Sequence, residues 1–208
     1  FSLIVIIFSN KSFAEGNNNL LWKTSAGNSY SHRFFSGEQI NKDNIKNLTK
    51  LWTFNSGSTA ALQTVQSPPV FIGNQLLVVT LKGDLISLSP INGETLWKKK
   101  LATPLGRRGF TYHESEDSEL EGIYVASGTN IVQLNKNGEI KKKFLTGLSL
   151  VQPFLDEKNL YVATLRNGVK AFDLKTKKEI WSTSLKKNKV NARVWSGFSF
   201  DKETNSLF

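Results

Sequence analysis

The 208 residues combine 39% apolar content with a formal net charge of +10, the balance of a soluble, core-forming chain with room for one large domain or two small ones. With no cysteine the chain holds neither a disulfide nor a thiolate metal site. Its two histidines, His32 and His113, are too few for a histidine-rich centre, so any metal would need oxygen ligands.

The chain opens on Phe1. The apolar run Phe1 to Phe8 is far shorter than the ~20 residues that span a bilayer as a helix. Ser12-Phe13-Ala14 follows, placing small residues three and one positions before the Ala14/Glu15 bond. Residues 1–14 therefore read as the remnant of a secretory signal whose basic start is missing. The mature segment is expected to be exported, to the periplasm in a bacterium, with no transmembrane span.

Residues 15–57 form a distinct N-terminal segment. Asn41-Lys-Asp-Asn-Ile45-Lys-Asn-Leu48 has a capping asparagine and the apolar spacing of a short helix. Leu51-Trp52-Thr-Phe54 then reads as a strand ended by Asn55-Ser-Gly57. Trp52 precedes Trp97 by about one repeat length, as a strand closing a ring from the N-terminal side would.

Beyond it a unit of about 42 residues recurs. Leu81-Lys-Gly83 through Asn92-Gly93-Glu-Thr-Leu-Trp97 matches Leu165-Arg-Asn-Gly168 through Glu179-Ile-Trp181. Gly128 to Phe144 is the middle copy, with phenylalanine in the tryptophan position. Within each unit the apolar runs are short and split by turn residues, which marks strands. The first unit has runs at 69–72, 75–81, 84–88 and 95–101. The second has them at 109–113, 122–126, 130–134 and 139–144, and the third at 150–155, 160–164, 168–172 and 179–184. A further unit begins at 193–200 and 206–208. Four strands per unit at this period predict an all-β chain, a β-propeller, with blades at about 58–101, 102–145 and 146–185 and a fourth starting at 186–208. Asn-Gly turns tighten the outer hairpins, and Trp97, Phe144 and Trp181 are expected to pack between adjacent blades. The lysine runs at 98–100, 141–143 and 186–189 fall at equivalent strand ends. They read as solvated edges that discourage aggregation, so no nucleic-acid partner is expected.

Several stretches resemble the pyrroloquinoline-quinone (PQQ)-dependent alcohol and glucose dehydrogenases. They are Trp22 with Asn28-Ser-Tyr-Ser-His-Arg33, then Gln39 to Leu48, Leu51 to Gly57, Gln66-Ser-Pro-Pro-Val70, Arg108-Gly-Phe-Thr-Tyr112 and Trp195-Ser-Gly-Phe-Ser-Phe-Asp201. The resemblance implies an eight-bladed propeller of which about three and a half blades are present. It implies PQQ and calcium on the axis, oxidation of an alcohol or aldose sugar, and electron transfer to a respiratory acceptor. Gln66 takes the place of a polar side chain that contacts the quinone, and Arg108 matches an arginine that pairs with its anionic groups. A guanidinium fork suits carboxylates and ortho-quinone oxygens.

Two departures bear on calcium, which takes six to eight oxygen ligands. Val162 to Gly168 turns directly without the expected carboxylate, and Arg193-Val194 stands where relatives carry asparagine, Asn191 lying slightly earlier. No metal ligand is assigned, and the catalytic aspartate implied by the resemblance would lie beyond Phe208. His113 adjoins the acidic loop Glu114-Ser-Glu-Asp117, and Pro153 after Gln152 reads as the start of an inner strand. Two functions stay open: a periplasmic quinoprotein dehydrogenase, here a fragment expected to be inactive alone, and a non-catalytic propeller serving as a protein-binding or outer-membrane assembly scaffold. An eight-bladed ring needs on the order of 320–360 residues, so the isolated 208 residues are expected to aggregate or fold poorly.

Overall fold

Short apolar runs broken by glycine, asparagine and aspartate cannot build helices of useful length, and they fold here into antiparallel hairpins. The computed structural model describes residues 2–6, 21–28, 30–35, 37–57, 66–165, 168–187, 190–191 and 194–208. Ser2–Ile6 (β1) pairs with Lys50–Asn55 (β3), while Leu21–Trp22 (β2) joins blade one. Residues 2–6 of the apolar run read as part of a leader thus lie along β3, and the Ala14/Glu15 bond lies outside the described residues.

Blade one comprises Val70–Ile72 (β4), Leu76–Val79 (β5), Asp84–Leu88 (β6) and Thr95–Lys100 (β7), with β2 added on the inner edge. Blade two is Thr111–His113 (β8), Gly122–Ser127 (β9), Asn130–Leu134 (β10) and Ile140–Leu145 (β11). Blade three is Phe154–Leu155 (β12), Asn159–Thr164 (β13), Gly168–Asp173 (β14) and Glu179–Thr183 (β15). Two small hairpins follow, Lys186–Lys187 (β16) with Val190–Asn191 (β17) and Phe200–Asp201 (β18) with Ser206–Leu207 (β19). Register slips at the same place in each outer pair, at Ser87/Leu88, Gln133/Leu134 and Ala171/Phe172. A repeated bulge of this kind adds twist to every blade alike.

Most strands lie where the spacing puts them; the innermost are shorter. The run expected at 150–155 pairs only at Phe154–Leu155. Pro153 has no N–H to offer a ladder, and the Leu150 carbonyl turns to the neighbouring blade, accepting from the Arg108 N–H at 3.2 Å. The helix expected at 41–48 shrinks to one 3-10 turn, Ile45–Asn47. The capping position falls on Asn44, whose side chain makes no capping bond, while Asn41 Oδ1 accepts from the N–H groups of Asp43 and Asn44 in a turn ahead of it. None of the turn's side chains is buried, and without packing so short a helix does not propagate. Among the described residues no helix is long and apolar enough to cross a membrane.

The core lies between blades. Val70, Leu77, Leu85, Phe110, Tyr112 and Val125 join blades one and two, with Trp97 against them. Tyr124, Ile131, Phe144, Leu160, Val162 and Phe172 join blades two and three. The outer tryptophans bridge forwards: Trp52 Nε1 donates to the Pro90 carbonyl (3.0 Å) and Trp97 Nε1 to that of Lys136 (2.8 Å). Each ring lies on a glycine turn, so a Cβ on Gly93 or Gly138 would sit 2.6 Å from the indole.

Candidate axial cofactor site

The innermost strand β8 approaches both β4 and β12, and the N-terminal segment runs against β4 and β8. β2 pairs with β4 (Leu21↔Ile72, Trp22↔Phe71), and the Lys23 carbonyl accepts from the Tyr112 N–H at 2.8 Å. Thr24 and Ala26 are buried there. The segment therefore packs against the inner strands of two blades.

Just ahead of each innermost strand stand Gln66, Arg108, Gln152 and Trp195, one per unit, at intervals close to the repeat length. Gln66 is exposed, and its N–H donates to the Arg107 carbonyl at 3.0 Å. The Arg108 guanidinium lies 3.5 Å over the Trp195 ring and donates Nη1 to the Trp195 carbonyl. Stacking of this kind is a favourable use of a planar cation. Burial pulls the Arg108 pKa down, without removing the charge at neutral pH. Arg107 lines a cleft of about 370 Å³ with Thr80, Thr103, Leu105 and Gly106.

Both cofactor residues expected from the sequence thus reach one end of the inner strands, linked through the 107–108 backbone. Gln152, which in the sequence is only the residue ahead of a strand-starting proline, joins them. Its Oε1 accepts from the Ser25 N–H at 3.1 Å and from the Ser25 hydroxyl. No repeat position in the sequence points to it: counted back from the equivalent residues Val70, Thr111 and Phe154, Gln66 stands about four, Arg108 about three and Gln152 about two positions ahead, and only the contact with Ser25 marks it.

Other singled-out groups lie elsewhere. His32 is exposed, stacked on Tyr30 (centroids 5.4 Å) and beside the Asn28 amide. His113 is half-buried edge-on to Tyr124, and its buried Nε2 has no partner. Burial lowers its pKa, and the charges it feels are Asp156, Lys23 and Glu121. The lysine run of blade one does more than solvate an edge. Lys98 and Lys100 approach the buried Asp84 carboxylate at 3.3 and 3.6 Å, and Thr80 donates to it at 3.2 Å. Among the described residues no group of three or more His, Cys, Asp or Glu side chains comes together, and residues 166–167 of the β13–β14 turn lie outside them.

Consecutive four-stranded antiparallel blades define the chain as part of a β-propeller, with an arginine, two glutamines and a tryptophan ahead of the inner strands. The sequence model of the PQQ family, described as glucose/ethanol/alcohol dehydrogenase, beta-propeller domain, matches residues 22–147. That is more than half of the chain, which belongs to this family of quinoprotein dehydrogenases.

The quinate/shikimate dehydrogenase (quinone) of Acinetobacter baylyi is 23% identical over 60% of this chain and 16% of its own. Quinoprotein glucose dehydrogenase A of Acinetobacter calcoaceticus is 31% identical over 46% of this chain and 13% of its own. The match therefore spans well under a fifth of either relative. Among solved structures, the quinohemoprotein alcohol dehydrogenase of Comamonas testosteroni aligns with a TM-score of 0.69 at 16% identity, over 93% of this chain and 35% of that one. At that identity the likeness is one of fold.

Proposed function

We propose that the chain is part of a periplasmic quinoprotein that oxidises an alcohol or an aldose sugar with PQQ and passes the electrons to a respiratory acceptor. The observation that supports it most directly is Arg108, held at the inner ends of the blades with its guanidinium spread on Trp195. PQQ is a flat, anionic ortho-quinone, and the residues present fit it: a fixed planar cation for its oxygens, an indole for its face and amides for its edge. When bound, PQQ supplies the two-electron acceptor that the protein side chains lack.

The chain's own residues bind and orient. Arg108 holds electron-rich oxygens in one plane and favours added negative charge on them, while Gln66 offers an amide at the rim. The 21–27 segment, packed against blades one and two, keeps water out from that side. Calcium would have to draw oxygen ligands from further residues, since no metal ligand is assigned here.

The test is reduction of an artificial dye by the intact protein, supplied with PQQ and calcium, with alcohols and aldoses as donors. Dye reduction that is lost in Arg108→Ala supports the proposal. Absence of both PQQ binding and dye reduction overturns it and leaves the scaffold reading.

A further inference from the structure

We infer that Gln152 is a third protein contact of the axial ligand, donating from its side-chain amide NH2 to a carbonyl or carboxylate oxygen of that ligand. The inference rests on the reading of the axial site as a quinone site, and it adds a residue that neither the repeat's turn chemistry nor the match to the family singles out.

The orientation of the amide follows from its partners. The Ser25 backbone N–H can only donate, so the atom 3.1 Å from it must be the Gln152 oxygen. The Ser25 hydroxyl also meets that oxygen, so two donors from the N-terminal segment occupy its acceptor sites. Nε2 therefore points away from the segment with two hydrogens, and no acceptor meets it among the described residues. Gln152 is half-buried and its Nε2 is not among the buried unpartnered atoms, so these donors are open to water, whose place a ligand oxygen would take.

The surroundings hold the side chain in place. Gly109 has φ +136°, and a Cβ on it would lie 3.0 Å from Gln152 Oε1 and 3.2 Å from Gln152 Cβ. A Cβ on Gly197 would lie 3.8 Å from the same Cβ. Gln152 is thus flanked by the backbone next to Arg108 and by the backbone two residues beyond Trp195, the two groups that stack on each other. Glycine at 109 leaves the space that the glutamine fills, and Ser25 fixes its direction. A donor so constrained, beside a fixed cation, suits a planar ligand with oxygens along its edge.

The experiment is titration of the intact apo-protein with PQQ, followed by quenching of tryptophan fluorescence, alongside thermal melting of each variant. Gln152→Glu keeps an acceptor for Ser25 but removes the donors and adds negative charge. It is expected to weaken PQQ binding by roughly 10- to 100-fold, the range of a hydrogen bond to a charged group, with the melting temperature retained. Gln152→Leu, which removes the donors without adding charge, is expected to weaken binding by about tenfold.

Weakened binding in both variants at retained stability supports the contact. If the wild-type protein binds PQQ and both variants bind equally well, the inference is overturned and the proposed function stands. If the wild-type protein binds no PQQ, both are overturned. Should Gln152→Leu not fold, Gln152→Glu decides alone.

Discussion

Blades one and two meet on Trp97, whereas blades two and three meet on Phe144, and the facing turns differ to match. Trp97 is long enough to lie on the next blade's turn, where its N–H reaches the Lys136 carbonyl and its ring covers Gly138. That geometry excludes a side chain at 138, where φ is +80°. Phe144 has no N–H and retreats inward to 1% exposure, between Tyr124 and Phe172 at ring separations of 6.3 and 6.4 Å. The turn of blade three then tolerates Lys177 at φ +61° and is held from inside by Asp173, which accepts from the Lys175 and Thr176 N–H groups. The residue that bridges the blades thus decides what the facing turn can be.

Removing the anchor of the second interface should have the largest effect. Phe144→Ala is expected to cost about 3–5 kcal/mol, the range for a buried aromatic, read as a fall in the denaturation midpoint of the intact protein. Gly138→Ala should follow at about 2–4 kcal/mol, combining left-handed backbone strain with the close approach to Trp97. Lys177→Gly, the equivalent change in reverse, should fall within about 1 kcal/mol of neutral, because relief of strain offsets the greater freedom of the unfolded chain. Equal effects of the two glycine-site changes would break the distinction between the interfaces.

The smallest effect is a pH dependence confined to the first interface. Burial pushes the Glu121 carboxyl up, but the Tyr112 hydroxyl and the Lys136 ammonium, 2.9 Å away, together leave it below its ordinary value. Tyr112, chiefly through burial, is pushed up to about 12. A carboxyl lowered on folding stabilises above its unfolded pKa, about 4, and loses that contribution as pH falls through the folded value. The melting temperature of Glu121→Gln should therefore lie slightly below wild type at pH 7 and converge with it below about pH 4. A gap that persisted in acid would mean that the Tyr112–Glu121–Lys136 cluster does not couple to ionisation.

The proposed axial site is partly legible in the sequence. Short motifs point to Arg108 and Gln66, because the residues around them resemble the family's. Gln152 stays hidden, since its meaning comes from Ser25, more than a hundred positions earlier in the chain. Lys98 and Lys100 read as solvent-facing because a run of lysines on an outer strand usually is. Only cross-strand pairing with β6 sets them beside Asp84.

Alternation, glycine placement and spacing act over a few residues and recur in each unit, so the strands, their turns and the repeat follow from the sequence alone. So does the equivalence of Trp97 and Phe144. Which groups gather at the inner ends of the blades, and where the N-terminal segment runs, emerges only when the chain is folded. Those contacts join residues distant in sequence through packing and hydrogen bonds, and local pattern carries no record of them.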